Sequence, residues 1–218
     1  MIEIEKAGSV WIVRMDEGEN RFNRVSVDAL HRHLDEVDRQ PPPLAVVTTG
    51  VGKFYSNGLD LDWMAGAGED AGAVVADVQR LLGRLLRLPL LTVAAVNGHA
   101  FAAGAMWASA HDILVMREDR GYWCLPEVDL GLPLTPAMYA VLAAKLPPAT
   151  LHHAILTGRR YDAAAALAGG IVHHVVPENL VLDTAVEVAT ALADKNRTVV
   201  AEHKRLMYAA AAQVCGVP

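Results

Sequence analysis

Three short runs of apolar and β-branched residues, Leu44–Thr49, Leu91–Val96 and Ile113–Met116, are separated by stretches of helical periodicity. Runs of this length and character predict strands with both faces buried. Strands that alternate with helices require an α/β core. The alternating pattern Ile2, Ile4, then Val10 and Ile12, broken by Ala7-Gly8-Ser9, predicts a hairpin over residues 2–15. Val27, Leu30, Leu34 and Val37 recur at helical spacing and predict a helix over 25–39, with Ser26 as its N-cap and Pro41–Pro43 as its stop. A second helix is expected from Ala73 to Leu88, ended by Pro89, and a third, of small residues, from Ala100 to Ala110. Gly121–Leu125 reads as a further strand. From Pro136 onward the chain is mostly helical, with one late strand at Val172–Val176. Two strands followed by a helix occur near both Ile2 and Leu44, which hints at a repeated ββα unit.

The chain has 218 residues, 53% of them hydrophobic and 20% charged, with a formal net charge of −6. That is enough apolar material for a sizeable core, and too little charge for a disordered chain. A nucleic-acid binder needs a basic face, which an acidic balance disfavours. The charged start Met1–Lys6 does not resemble a secretory signal, and no apolar run is long enough for a membrane span. Cys124 and Cys215 are too few for a disulfide framework and are expected to be reduced thiols in a cytoplasmic protein.

Two glycine-containing turns each follow a buried strand and lead toward a helix: Lys53–Leu61 and Asn97–Ala105. Such turns aim backbone N–H groups at a ligand, and two N–H groups converging on one oxygen make an oxyanion hole. Tight strand-to-helix packing through small residues accounts for the same pattern. Neither turn has the G-x-G-x-x-G dinucleotide fingerprint or a P-loop ending, so NAD and ATP are not expected. Glu127 sits among apolar residues directly after a strand. There it is either a base with a raised pKa or a turn-capping surface carboxylate. In an extended segment Asp129 would share its face. The histidine pairs His152-His153 and His173-His174 diverge, no H-E-x-x-H or C-x-x-C is present, and no metal is expected. There is no G-x-S-x-G elbow for a serine hydrolase.

Together these segments resemble the crotonase superfamily, also called the enoyl-CoA hydratase/isomerase family. The matching elements run through nearly the whole chain: Phe54–Leu61, Val96–Gly104, Ala110-His111-Asp112, Pro126-Glu127 with Leu130-Gly131-Leu132, Leu156-Thr157-Gly158, Gly170-Ile171-Val172 and Val176-Pro177. The resemblance implies an α/β fold, a crotonase-like spiral of ββα units over residues 1–135 with a helical C-terminal region over 136–218. It also implies assembly as a homo-trimer or a dimer of trimers. The implied ligand is an acyl-CoA thioester, with no separate cofactor.

By position, the backbone N–H groups of Asn57 and Ala103 are then the oxyanion hole. Ser56, Gly58, Leu59, Asp60, Leu61, Gly104, Met106, Leu125 and Pro126 line the substrate, and Glu127 is the catalytic group. Hydratases of the family carry two glutamates. Met106 stands at the position of the first, which leaves Glu127 alone and favours isomerisation of 3-enoyl-CoA to 2-enoyl-CoA. The segment Asp119–Leu132 looks especially like the isomerases of plant peroxisomes. Hydration, thioester hydrolysis, decarboxylation and a non-catalytic acyl-CoA-binding role are the alternatives.

Overall fold

A computed structural model describes residues 1–217; the final residue of the expected C-terminal region, Pro218, lies outside the described residues. The chain opens with the antiparallel hairpin β1 (Ile2–Ala7) and β2 (Val10–Met15), followed by α1 (Arg24–Asp38). Next come β3 (Ala45–Gly50), β4 (Phe54–Ser56), α2 (Leu61–Gly66) and α3 (Glu69–Arg87). The pattern repeats as β5 (Leu91–Val96), β6 (His99–Phe101) and α4 (Ala103–Ala110). It repeats once more as β7 (Ile113–Arg117), β8 (Trp123–Cys124) and α5 (Glu127–Leu130). The rest is α6 (Pro136–Lys145), α7 (Pro148–Thr157), α8 (Ala163–Ala168), β9 (His174–Val176), α9 (Val181–Leu192) and α10 (Arg197–Val214).

The ββα repeat is the rule that organises the fold. In the three units that begin at β3, β5 and β7 the first strand joins a six-stranded sheet, ordered β1-β2-β3-β5-β7-β9, and the second joins a three-stranded sheet, ordered β4-β6-β8; the unit near Ile2 departs from this, because β1 and β2 both lie in the large sheet. Every pairing except β1 with β2 is parallel. Each of these three units thus adds one strand to each sheet, and all second strands end on the same side.

The central strands β3, β5 and β7 of the large sheet are buried on both faces, as their short apolar runs require. Val46, Ala94 and Leu114 face the main core with α1, α3 and α4. Val47, Ala95 and Val115 face α9. That helix meets them with Val181, Ala185 and Ala189, spaced four apart, so small side chains let it lie close.

The structure corrects several local readings. The N-cap of α1 is Asn23. Its side chain accepts from the Ser26 N–H at 3.1 Å, while the Ser26 hydroxyl accepts from the Asn23 N–H at 2.9 Å. Ser26 is therefore the third helical residue of a reciprocal capping pair, not the cap. The helix expected from Ala100 starts at Ala103, because His99–Phe101 are taken by β6. β4 lies inside the stretch Lys53–Leu61 read as a glycine-containing turn, and α2 is the helix to which that turn leads. A three-residue strand carries too little periodicity to be seen.

Candidate active site

The three strands β4, β6 and β8 are parallel neighbours, so the turns that follow them converge at one end of the small sheet. Ala102 N–H donates to the Cys124 carbonyl at 3.0 Å, which fixes the start of α4 beside Leu125. Gly104 lies so near the Ser56 carbonyl that a Cβ there would collide with it. A Cβ at Gly58 would lie 2.9 Å from the Phe101 carbonyl oxygen and 3.1 Å from Ala103 N. Gly58, at φ +82°, and Gly104 thus allow the first turn to press against the second.

Ala103 is the first residue of α4, and Ala102 before it offers no side-chain cap. The first intrahelical bond runs from the Met106 N–H to the Ala102 carbonyl, so the Ala103 N–H has no intrahelical partner. The first turn differs from the expectation. The Asn57 N–H donates to the Glu19 carbonyl at 2.9 Å. That bond spends it, so the Asn57 N–H is not free to donate to a ligand oxygen as expected. Its side chain donates to Glu19 Oε2 at 2.8 Å, and that bond holds the Glu19 carboxyl below its ordinary pKa.

Two residues on, the backbone pairs with Phe22 through the Gly58 carbonyl and the Asp60 N–H. In an extended segment the Leu59 N–H between them faces the opposite way. It donates to nothing among the described residues. Leu59 is therefore the residue with the available N–H. The local sequence carries no signal for this, because the Asn57 N–H is consumed by a loop 38 positions earlier in the chain.

Glu127 is the first residue of α5, with Pro126 at the N-cap. Its Oε2 is buried and has no hydrogen-bond partner. Burial raises its pKa above the ordinary carboxylate value. Because 127–130 is helical and not extended, Asp129 does not share the face of Glu127. Its carboxylate packs against Gly158 at the end of α7.

Other expected substrate contacts are spent on structure. The Ser56 hydroxyl is fully buried and donates to the Asn20 carbonyl at 2.7 Å. Asp60 caps α2 by accepting from the Trp63 N–H at 3.2 Å. Met106 and Leu125 belong to the apolar core beside the converging turns. Leu61 is 47% exposed at the start of α2.

Histidines serve the fold. His111 bridges Thr48 Oγ1 at 2.9 Å and the Trp107 carbonyl at 2.8 Å, and burial pushes its pKa down to about 4. His153 Nδ1 meets the Tyr161 hydroxyl at 3.0 Å, and His173 Nδ1 accepts from the Leu114 N–H at 3.0 Å. Among the described residues no three His, Cys, Asp or Glu side chains converge to hold a metal ion. Both cysteines are buried and unpaired, with thiols pushed up to about 11 by burial. Among the described residues no helix is long and apolar enough to cross a membrane.

Comparison with known proteins agrees with this architecture. Residues 5–215 match the family model described as enoyl-CoA hydratase/isomerase. Enoyl-CoA delta isomerase 3 of Arabidopsis thaliana is 34% identical, over 95% of this chain and 92% of its own. Carnitinyl-CoA dehydratase of Citrobacter koseri is 35% identical over 77% of this chain and 65% of its own. The solved structure of an enoyl-CoA isomerase from Mycobacterium tuberculosis superposes with a TM-score of 0.91 at 26% identity, covering 99% of this chain and 94% of that one. With the two-sheet ββα spiral, the three converging turns and a match along nearly its whole length, the chain belongs to the enoyl-CoA hydratase/isomerase family, the crotonase superfamily.

Proposed function

We propose that the protein isomerises a 3-enoyl-CoA thioester to the 2-enoyl-CoA. The observation that carries this reading is the buried, unpartnered Oε2 of Glu127. An unsatisfied carboxylate costs stability, so its retention at the end of the small sheet points to use as a base. In this mechanism Glu127 removes a proton from C2 of the substrate. Charge moves to the thioester oxygen, which accepts hydrogen bonds from the Leu59 and Ala103 N–H groups. Each donor contributes about 2.7–4 kcal/mol by comparison with other oxyanion holes. Glu127, now protonated, returns the proton at C4. The proton count balances, and one carboxyl serves as base and then acid.

Hydration calls for a second acid to hold and activate water, and Met106 supplies none. The Arabidopsis delta isomerase, similar along nearly its full length, supports the same choice. The test is incubation of the purified protein with 3-enoyl-CoA and with 2-enoyl-CoA, followed by product identification. Interconversion of the two supports the reading; a 3-hydroxyacyl product or free CoA contradicts it.

Assembly as a homo-trimer or dimer of trimers is part of this reading. α5 and α7 pack together and expose Val128, Leu130 and Leu156, and Leu132 just beyond α5 is exposed as well. Exposed apolar groups gathered on neighbouring elements mark association surfaces. Light scattering is expected to give three or six copies, and a monomer at micromolar concentration contradicts it.

A further inference from the structure

The strands β4, β6 and β8 end at the reaction site, and they begin at a second site of different character. Lys53 and Gly98 stand just before β4 and β6, and Gly121 two residues before β8. This same end is where the parallel strands of the large sheet finish: Gly50 closes β3, Asn97 follows β5, Arg117 closes β7 and Glu178 follows β9. The crevice outside the carboxyl ends of parallel strands is a recurrent ligand position in α/β sheets. Here it is a basin of about 490 Å³, whose charged lining is Arg14, Lys53, Arg117, Arg120 and Glu178.

The charge in the basin is not balanced internally. Arg14 pairs with Glu5 at 2.8 Å, and Arg117 pairs with Asp119 and Glu178. Lys53 and Arg120 have no carboxylate within 4.0 Å among the described residues, so two cations remain available on a chain of net charge −6.

The floor is also pre-organised. Asn97 Oδ1 accepts from the Gly50 N–H at 2.9 Å, and Asn97 Nδ2 donates to the Gly52 carbonyl at 3.1 Å, which clamps the loop that carries Lys53. Gly98 crosses under that loop where a Cβ would collide with the Lys53 carbonyl. Between Gly98 and Ala103 lies the whole of β6, three residues or roughly 10 Å of strand. The basin is therefore separated from the turns that hold Leu59 and Ala103.

The geometry points to a second ligand site, at which a small anion bearing at least two phosphate-type negative charges binds between Lys53 and Arg120, while Arg14 and Arg117, each held by its own carboxylates, line the wall. Guanidinium forks match phosphate oxygens in pairs, and lysine adds a point charge.

Inorganic pyrophosphate is the probe, titrated calorimetrically into the full chain near physiological ionic strength. Saturable binding is expected. The variant Lys53→Ala/Arg120→Ala should weaken it tenfold or more with its melting temperature preserved, and Glu127→Gln should leave it unchanged. Saturating CoA should not displace it. No binding by the wild type, equal binding by the double variant, or competition by CoA each overturns the assignment of a separate site. None of these results bears on isomerase turnover, so this test stands apart from that of the reaction.

Discussion

Gly58 and Ala103 stand so close that a methyl group on Gly58 would lie 3.1 Å from the Ala103 nitrogen. The first turn reaches the second because Gly58 has no side chain and adopts φ +82°. Gly58→Ala is therefore expected to cost stability by about 1–3 kcal/mol from the backbone conformation alone. It should also reduce turnover at least tenfold by displacing the Leu59 N–H. Urea unfolding and steady-state kinetics check both effects.

The assignment of the oxyanion donors predicts an asymmetry between neighbours. Leu59→Pro removes an N–H that has no partner in the fold, and should lower kcat by about 10²–10³ while the circular dichroism spectrum is retained. Asn57→Ala keeps the backbone bond to Glu19 and loses only the side-chain bond at 2.8 Å. Its kcat should fall less than tenfold. The reverse order would return the donor role to Asn57.

Ala102, the residue before the proposed donor Ala103, has φ +51° and ψ −126°, a region that favours glycine. Backbone strain of this kind costs about 1–3 kcal/mol, against about 0.5–1 kcal/mol for the extra freedom of glycine in the unfolded chain. Ala102→Gly should accordingly leave the melting temperature unchanged or raise it by a few degrees. A clear fall in melting temperature would count against the strain.

Lys204 is 4% exposed; it donates to Asp112 at 2.6 Å and to the Leu90 carbonyl at 2.8 Å, tying α10 to β5 and β7. Burial lowers its pKa, and Asp112 opposes that. Removing one partner leaves a buried charge alone. Asp112→Ala should therefore destabilise the protein by about 3–5 kcal/mol, read as a shift of the urea midpoint.

Much of this was legible from residue order. The runs at Leu44, Leu91 and Ile113 became β3, β5 and β7 because strands buried on both faces need unbroken apolar residues. The turns around Gly58 and Gly104 came together as their small residues suggested. What could not be read depended on partners distant in sequence. Asn57 lost its N–H to Glu19, and Ser56 spent its hydroxyl on Asn20, because the loop after β2 runs beside the first turn. Asp129 turned away from Glu127 because the four residues 127–130 are helical, a length at which periodicity carries no signal. The basin of arginines required the large sheet to bring β2, β3, β5 and β7 side by side.

Glu127 also makes a prediction about pH and stability. Its folded pKa lies above the unfolded value, because burial disfavours the charged form. The folded state then binds the proton more tightly, so ionisation costs stability as pH rises from the unfolded pKa through the folded one. The cost is fully present above the folded pKa and absent below the unfolded pKa. Glu127→Gln should thus be more stable than wild type at neutral pH, read as a higher melting temperature. The difference should vanish below the ordinary carboxylate range. Equal melting curves at neutral pH would show that the carboxylate is not destabilised by its burial.

The same variant gives the most direct measurement of the proposed reaction: conversion of 3-enoyl-CoA to 2-enoyl-CoA by wild type and by Glu127→Gln, with acyl-CoA affinity measured alongside. The single-carboxylate proton shuttle predicts that affinity changes by no more than a few fold, while isomerisation falls by about two to four orders of magnitude. Undiminished isomerisation in Glu127→Gln would contradict the mechanism, and no isomerisation by the wild type would contradict the assigned reaction.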